Sequence, residues 1–194
     1  MRSATITRNT KETQITIELE LDGTGVYEIQ TGVAFFDHML AQIARHGLLN
    51  LKVKAIGDLE IDSHHTVEDV GIVLGQALKK ALGERVGISR YGDATIPMDE
   101  ALALVALDLS GRPYLKFQAE LGKEKLGNFD LELVEEFFLA VAVQSGMNIH
   151  VRLLDGHNLH HSVEAIYKAF GRALKKAVSI DERETTVPST KGVL

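Results

Sequence analysis

A chain that repeats itself is expected to build one unit twice, and this chain repeats itself. Shifting the sequence by 96 positions lays His160-His161 on His64-His65. HHTVEDVGIVLGQALKKAL, from His64 to Leu82, then faces HHSVEAIYKAFGRALKKAV, from His160 to Val178, with ten identities in nineteen positions. Upstream, HGLLNLKVKA from His46 faces SGMNIHVRLL from Ser145 once three residues are skipped. GVYEIQ from Gly25 resembles GRPYLKF from Gly111 more faintly. The chain reads as a duplication, residues 1–93 and 94–194, with its seam near Tyr91 to Ala94. Neither half is expected to make a sufficient core alone.

Periodicity gives both halves the same order of elements. Ile15, Ile17, Leu19 and Leu21 alternate, as do Leu102 and Leu104 and then Leu115, Phe117, Ala119 and Leu121, so each half opens with strands. A helix follows on Phe36, Met39, Leu40 and Ile43, and its copy on Val134, Phe137, Phe138 and Val141, each stopping near a glycine, Gly47 or Gly146. A third strand carries Leu49, Leu51 and Val53, or Ile149, Val151 and Leu153. The histidine pair then opens a second helix with the stripe Val67, Val70, Leu74, Ala77, Ala81, or Val163, Ile166, Phe170, Ala173, Ala177. The expected fold class is α+β: each half a small, mostly antiparallel sheet with two helices on one face, helices packed between the two sheets. The tail after Asp181, with TTVPSTKGV, reads as an ordered or closing loop.

Composition narrows the partners. A chain 45% hydrophobic and 25% charged suits one compact globular unit or two small ones. With 21 lysines and arginines against 27 acids, the charge of -6 argues against a nucleic-acid or anionic-membrane partner. The longest apolar runs, Ala101 to Leu107 and Phe137 to Val143, are seven residues each and too short to span a bilayer. No secretory or transit signal is expected. The lack of cysteine removes disulfides, thiolate metal sites and cysteine nucleophiles, and makes a cytoplasmic protein the simplest expectation.

Eight histidines remain to be explained. Each pair forms His-His-x-x-Glu at a helix start, with Asp62 or Ser63 available as a cap in the first copy and Asn158 in the second. The positive helix end disfavours imidazolium, so these rings are expected to be neutral and able to bind a metal. Adjacent helical residues diverge by about 100°, so the two rings of a pair cannot readily share one ion, and each could serve a different one. Glu68 is within reach of His64 or His65, and Glu164 of His160 or His161. Two copies thus suggest a two-metal site whose imidazole and carboxylate ligands favour a six-coordinate ion such as manganese or iron, zinc also being possible. Simple helix capping is the alternative, and duplication would copy that too. His38, opposite the apolar stripe of its helix, could add a ligand or be an ordinary exposed histidine. His46 is expected to benefit from the negative end of its helix. His150 and His157 read as structural or solvated.

FFDHMLAQIARHGLLNL, DSHHTVEDVGIVLGQAL, HHSVEAIYKAFGRALKKA and the ending TVPSTKGVL together closely resemble the imidazoleglycerol-phosphate dehydratase family, over essentially the whole chain. The resemblance implies dehydration of imidazole glycerol phosphate to imidazole acetol phosphate in histidine biosynthesis, through a metal-stabilised imidazolate and a diazafulvene-like intermediate. It also implies two manganese ions per active site, a shell of twenty-four identical subunits and sites formed between subunits. By the same resemblance His38, His65, Glu68 and His160 would hold one ion, and His64, His161 and Glu164 the other. Where many members have a histidine ligand in VEHF, this chain has Glu136 in VEEF; a carboxylate can bind manganese there or leave the position to water. Glu12 matches a family acid-base carboxylate. Arg90, Arg112, Lys168, Ser189 and Lys191, joined by Gln42, match phosphate-binding positions, and Asp99 matches another position near the site. A dimetal phosphate-ester hydrolase or a metal-fastened structural protein are the competing readings of the same ligands.

Overall fold

The computed structural model describes residues 2–194. Its first half contains β1 (Ser3–Asn9), β2 (Thr13–Glu20), β3 (Tyr27–Gln30), α1 (Ala34–Gly47), β4 (Asn50–Gly57) and α2 (His64–Leu82). The second contains β5 (Tyr91–Met98), β6 (Ala101–Asp108), β7 (Tyr114–Gln118), the short strands β8 (Lys125–Leu126) and β9 (Phe129–Asp130), α3 (Leu133–Ser145), β10 (Asn148–Asp155) and α4 (Leu159–Val178). The sheet orders are the same in kind, β1-β2-β4-β3 and β5-β6-β10-β7, with only the last pair of each parallel. The β8-β9 hairpin has no counterpart in the first half.

The alternating residues of β2 and β4 turn Ile15, Ile17, Leu19, Leu51 and Val53 into one buried face. Four helices cover that face and its copy, α2 lying on β1 and β2 and α4 on β5 and β6. The halves meet helix to helix, α2 against α3 and α1 against α4. Every residue of the four expected helical stripes is buried. The result is the expected α+β fold, with helices between two sheets.

Three local readings change. In β6 the core face is Ala101, Ala103, Val105 and Leu107, whereas Leu102 and Leu104 are only partly buried on the other face. A strand apolar on both faces hides its phase, and here the smaller side chains face inward because α4 comes close: a Cβ on Gly92 of β5 would run into the backbone of Ala173 and Ala177. The third strands align at an offset of 98, Leu51 with Ile149 and Val53 with Val151, one residue from the alignment read in the sequence. Finally, α1 runs through Gly47 and Leu48 takes the left-handed cap (φ 53°), while Gly146 (φ 73°) ends α3 as expected.

Equivalent glycines set the spacing of the helix layer. A Cβ on Gly75 would lie 2.9 Å from the Val141 carbonyl oxygen of α3, and one on its counterpart Gly171 would lie 2.9 Å from that of Ile43 of α1. Alanine is the better helix former by about 1 kcal/mol. The obstructing atoms are backbone and cannot swing away, so overpacking of about 1–3 kcal/mol wins. Gly75→Ala and Gly171→Ala are each expected to lower the urea midpoint at fixed protein concentration; an unchanged or higher midpoint would show that the layer can open without cost.

Candidate metal and substrate site

Each histidine pair is placed by a helix start. In α2 the Asp62 carboxylate accepts from the His64 N–H (2.8 Å), while Ser63 donates to the Asn128 carbonyl instead of capping. In α4 the Asn158 side chain accepts from the His161 N–H (3.2 Å). With the backbone fixed, the rings of each pair point apart, interplanar angles being 87° and 82°.

The second pair meets α1. Ring nitrogens Nε2 of His38 and His160 lie 3.2 and 3.0 Å from one oxygen of Glu164, and the donor atoms of the three residues all fall within 4.8 Å of one another. Lys168 Nζ takes the other Glu164 oxygen at 2.7 Å. The Glu164 side chain is only 8% exposed. Burial works to raise its pKa, but the hydrogen bonds from Lys168 and His38 outweigh it and hold the group below its ordinary value. Phe35 stands edge-on to the His160 ring at 5.2 Å. Two imidazoles and one ionised carboxylate fit a divalent six-coordinate ion.

The first pair forms a separate group. His64 Nε2 is 3.8 Å from Glu68, and His65 Nδ1 is 3.0 Å from Asp58 and 4.0 Å from Glu12. Among the described residues no hydrogen bond or ion pair joins this group to His38, His160 or Glu164. The implied division put Glu164 with His64 and His161 and put His38 and His160 with His65 and Glu68; within one chain Glu164 stands with His38 and His160. His161 faces Glu100 (Nδ1, 2.8 Å) and Asp99 (Nε2, 3.8 Å). Glu136 makes no hydrogen bond or ion pair among the described residues and sits half-buried in the first turn of α3.

His65 and His161 feel a second influence besides the helix end. Hydrogen bonding to Asp58 and Glu100, respectively, raises both pKa values above the ordinary 6.5, so a facing carboxylate outweighs the helix end. His46 moves the other way: burial first, then Lys168, lowers its pKa despite the helix C-terminus. Glu100, hydrogen-bonded by His161 and the Asn158 N–H, is lowered to about 2 from 4.5. Its stabilising effect is therefore present above pH 4.5 and lost as pH falls toward 2. That of His161 is present below pH 6.5 and lost as pH rises through its raised pKa. In metal-free protein the melting temperature difference between parent and Glu100→Gln is expected to peak between pH 4.5 and 6.5; a difference independent of pH would rule this coupling out.

Four of the anticipated phosphate residues share a second feature. Arg90, Arg112, Ser189 and Lys191 line a cleft of about 780 Å³ closed on one side by the tail. Arg90, at φ 66°, is held by Asp108 (2.8 and 3.2 Å) and the Pro188 carbonyl (2.9 Å). The turn in the tail places the Lys191 N–H on Ser189 Oγ (3.2 Å). Gln42 and Lys168 are not in this cleft; Gln42 Nε2 is 3.3 Å from His38 Nδ1, and Lys168 is on Glu164. A further cleft of about 680 Å³, on the first sheet, sets Glu18, Glu20 and Glu28 against Lys52 and Lys80, so its acids outnumber its cations.

Asp58 and Glu100 were not anticipated from the sequence, where each is one acid among 27. The strands supplied a signal for Glu100: the offset of 88 that carries Thr13 of β2 onto Ala101 of β6 carries Glu12 onto Glu100.

Fold and side chains together define a duplicated α+β protein with histidine and carboxylate groups at equivalent helix starts and a separate cationic cleft. The imidazoleglycerol-phosphate dehydratase family profile matches residues 31–174, and the chain belongs to that family of hydro-lyases. It is 62% identical to the imidazoleglycerol-phosphate dehydratase of Acetivibrio thermocellus, over all of this chain and 99% of that one. For the Moorella thermoacetica enzyme the identity is 60%, over all of this chain and 98% of that one. Among solved structures, the Staphylococcus aureus dehydratase matches with a TM-score of 0.84 at 45% identity, covering 92% of this chain and 99% of that one. The Pyrococcus furiosus enzyme in complex with (S)-C348 gives 0.85 at 39%, covering 97% and 100%.

Proposed function

We propose that this protein dehydrates imidazole glycerol phosphate to imidazole acetol phosphate in the cytoplasm, using two divalent ions, manganese in the first instance. The observation that carries the reading is the His38, His160 and Glu164 group, a metal donor set on a chain of this family. His64, His65, Glu68 and His161 are proposed as the remaining ligands, with Glu136 as a further candidate. When bound, such ions supply Lewis-acid stabilisation of a deprotonated imidazole ring.

The chain's own groups do the rest. The carbon beside the ring loses its hydroxyl, the next carbon loses a proton, and the resulting enol becomes the ketone. No carbonyl acidifies that proton, so the reaction needs a positioned proton carrier. Glu12, with 56% of its side chain exposed 4.0 Å from His65, can carry a proton to or from a substrate. Arg90, Arg112, Ser189 and Lys191 are proposed to hold the phosphate. Gln42, Lys168 and Asp99, close to the imidazole ligands, are proposed to orient the other end of the substrate. Incubating manganese-loaded protein with the substrate is expected to give the acetol phosphate, with loss on chelation and recovery on manganese addition. Release of inorganic phosphate instead would favour a hydrolase.

One chain is proposed not to make a complete site. The Arg90 N–H donates to the Ala177 carbonyl near the end of α4, whereas His160 is in its first turn. At 1.5 Å per residue these points are about 25 Å apart. A small phosphorylated imidazole spans on the order of 10 Å and cannot touch both. This supports sites shared between subunits, in the assembly of twenty-four that the family resemblance implies. Residues 1–93 and 94–194 are proposed as the two repeat halves of one compact unit, with the boundary moved to just before Tyr91 so that β5 stays whole in the second half. Among the described residues no helix is long and apolar enough to cross a membrane.

A further inference from the structure

The second histidine of each pair rests on a carboxylate that the proposed machinery does not use. His65 Nδ1 lies 3.0 and 3.2 Å from the two oxygens of Asp58, and His161 Nδ1 lies 2.8 Å from Glu100. A neutral ring in this setting donates its Nδ1 proton to the carboxylate and keeps the Nε2 lone pair for a metal. We propose that Asp58 and Glu100 are positioning residues that fix the tautomer and orientation of His65 and His161 for metal, and that Asp58 thereby frees Glu12 from the same task. The proposal rests on the metal-binding reading of the histidine pairs given above.

The repeat carries the second part. The offset between β2 and β6 maps Glu12 onto Glu100, both in the turn before the second strand of their half. The offset of 98 between β4 and β10 maps Asp58 onto Gly156, both just after the third strand. In the second half the turn acid does the holding, and the position after the strand has no side chain. Glu100 is fully engaged there: one oxygen takes His161, the other the N–H groups of Asn158 (2.8 Å) and His157 (3.4 Å). In the first half the acid after the strand does the holding, and the turn acid stands back. Equivalent rings therefore meet a carboxylate at the same nitrogen, supplied by different loops. The exchange leaves one of two equivalent turn acids available to move protons.

The test uses the full-length protein and manganese itself, with affinity measured by competition against a chelating dye in the absence of substrate. Asp58→Asn and Glu100→Gln, which preserve shape, are expected to weaken binding about 10- to 100-fold, and Asp58→Glu to restore most of the loss that Asp58→Ala causes. Glu12→Gln alone is expected to leave affinity unchanged. In an Asp58→Ala background, where Glu12 can move onto His65, Glu12→Gln is expected to weaken binding further. Parent affinity in both amide variants would overturn the positioning role, and the same null effect of Glu12→Gln in both backgrounds would overturn the exchange. Because these readouts need no turnover, they are separable from the dehydration reading: a parent that binds manganese but forms no acetol phosphate refutes only the latter.

Discussion

Glu12→Gln is expected to lower turnover by about 10²- to 10⁴-fold, the usual range for removing a general acid or base, while manganese content and assembly stay at parent values. The asymmetry follows from the contacts. Glu12 is in a tight turn whose backbone is held by Thr10 and Thr13, and its side chain makes no hydrogen bond among the described residues. The His65 ring it faces is already held by Asp58. Neutralising Glu12 is therefore expected to cost little in folding and to remove the proposed proton carrier from a proposed reaction that takes a proton from a carbon no carbonyl acidifies. Steady-state rates at saturating manganese, with metal analysis and mass in solution on the same samples, make the test. Parent turnover in the variant would move the acid-base role elsewhere; loss of metal along with turnover would make Glu12 a structural part of the metal group.

The parts of the molecule legible in its sequence are those governed by one period or one repeat. Helical stripes such as Val163, Ile166, Phe170 and Ala173 show because only one face of α4 can be apolar and still leave polar residues for water. The phase of β6 does not show, since alanine, valine and leucine fill both of its faces. The left-handed cap at Leu48 is also hidden, because the glycine beside it is required for another reason: a Cβ at Gly47 would lie 3.3 Å from the Gly171 carbonyl oxygen. The histidine pairs suggest metal chemistry by residue type. Which carboxylate stands with which ring depends on contacts between distant segments, as Glu164 with His38 demonstrates. Likewise the cleft residues Arg90, Arg112, Ser189 and Lys191 share no spacing and were anticipated only through the family resemblance.

That separation of cleft from metal group leads to the second large effect. His160→Ala removes a proposed metal ligand, and Arg90→Ala removes a proposed phosphate contact, so each variant alone is expected to be nearly inactive. Mixed after dissociation and reassembled, the two should regain activity if a site draws its metal group from one subunit and its cleft from another. With random assortment at equal amounts, about a quarter of such sites receive both intact parts, which sets the expected recovery near a quarter of parent activity. A site made within one chain predicts no recovery, because every chain in the mixture carries a defect. The choice of residues matters to the logic. Arg90 also holds Asp108 and the tail through Pro188, so Arg90→Ala could loosen the fold; Lys191→Ala, whose side chain is exposed and makes no ion pair among the described residues, provides the second cleft variant. Recovery with both pairs of variants, absent when either is mixed with itself, would establish that the substrate bridges two subunits. Absence of recovery in mixed assemblies of parent mass would require the 25 Å between the start of α4 and Arg90 to be closed within one chain, which the rigid twenty-residue helix between them forbids without a rearrangement of the tail.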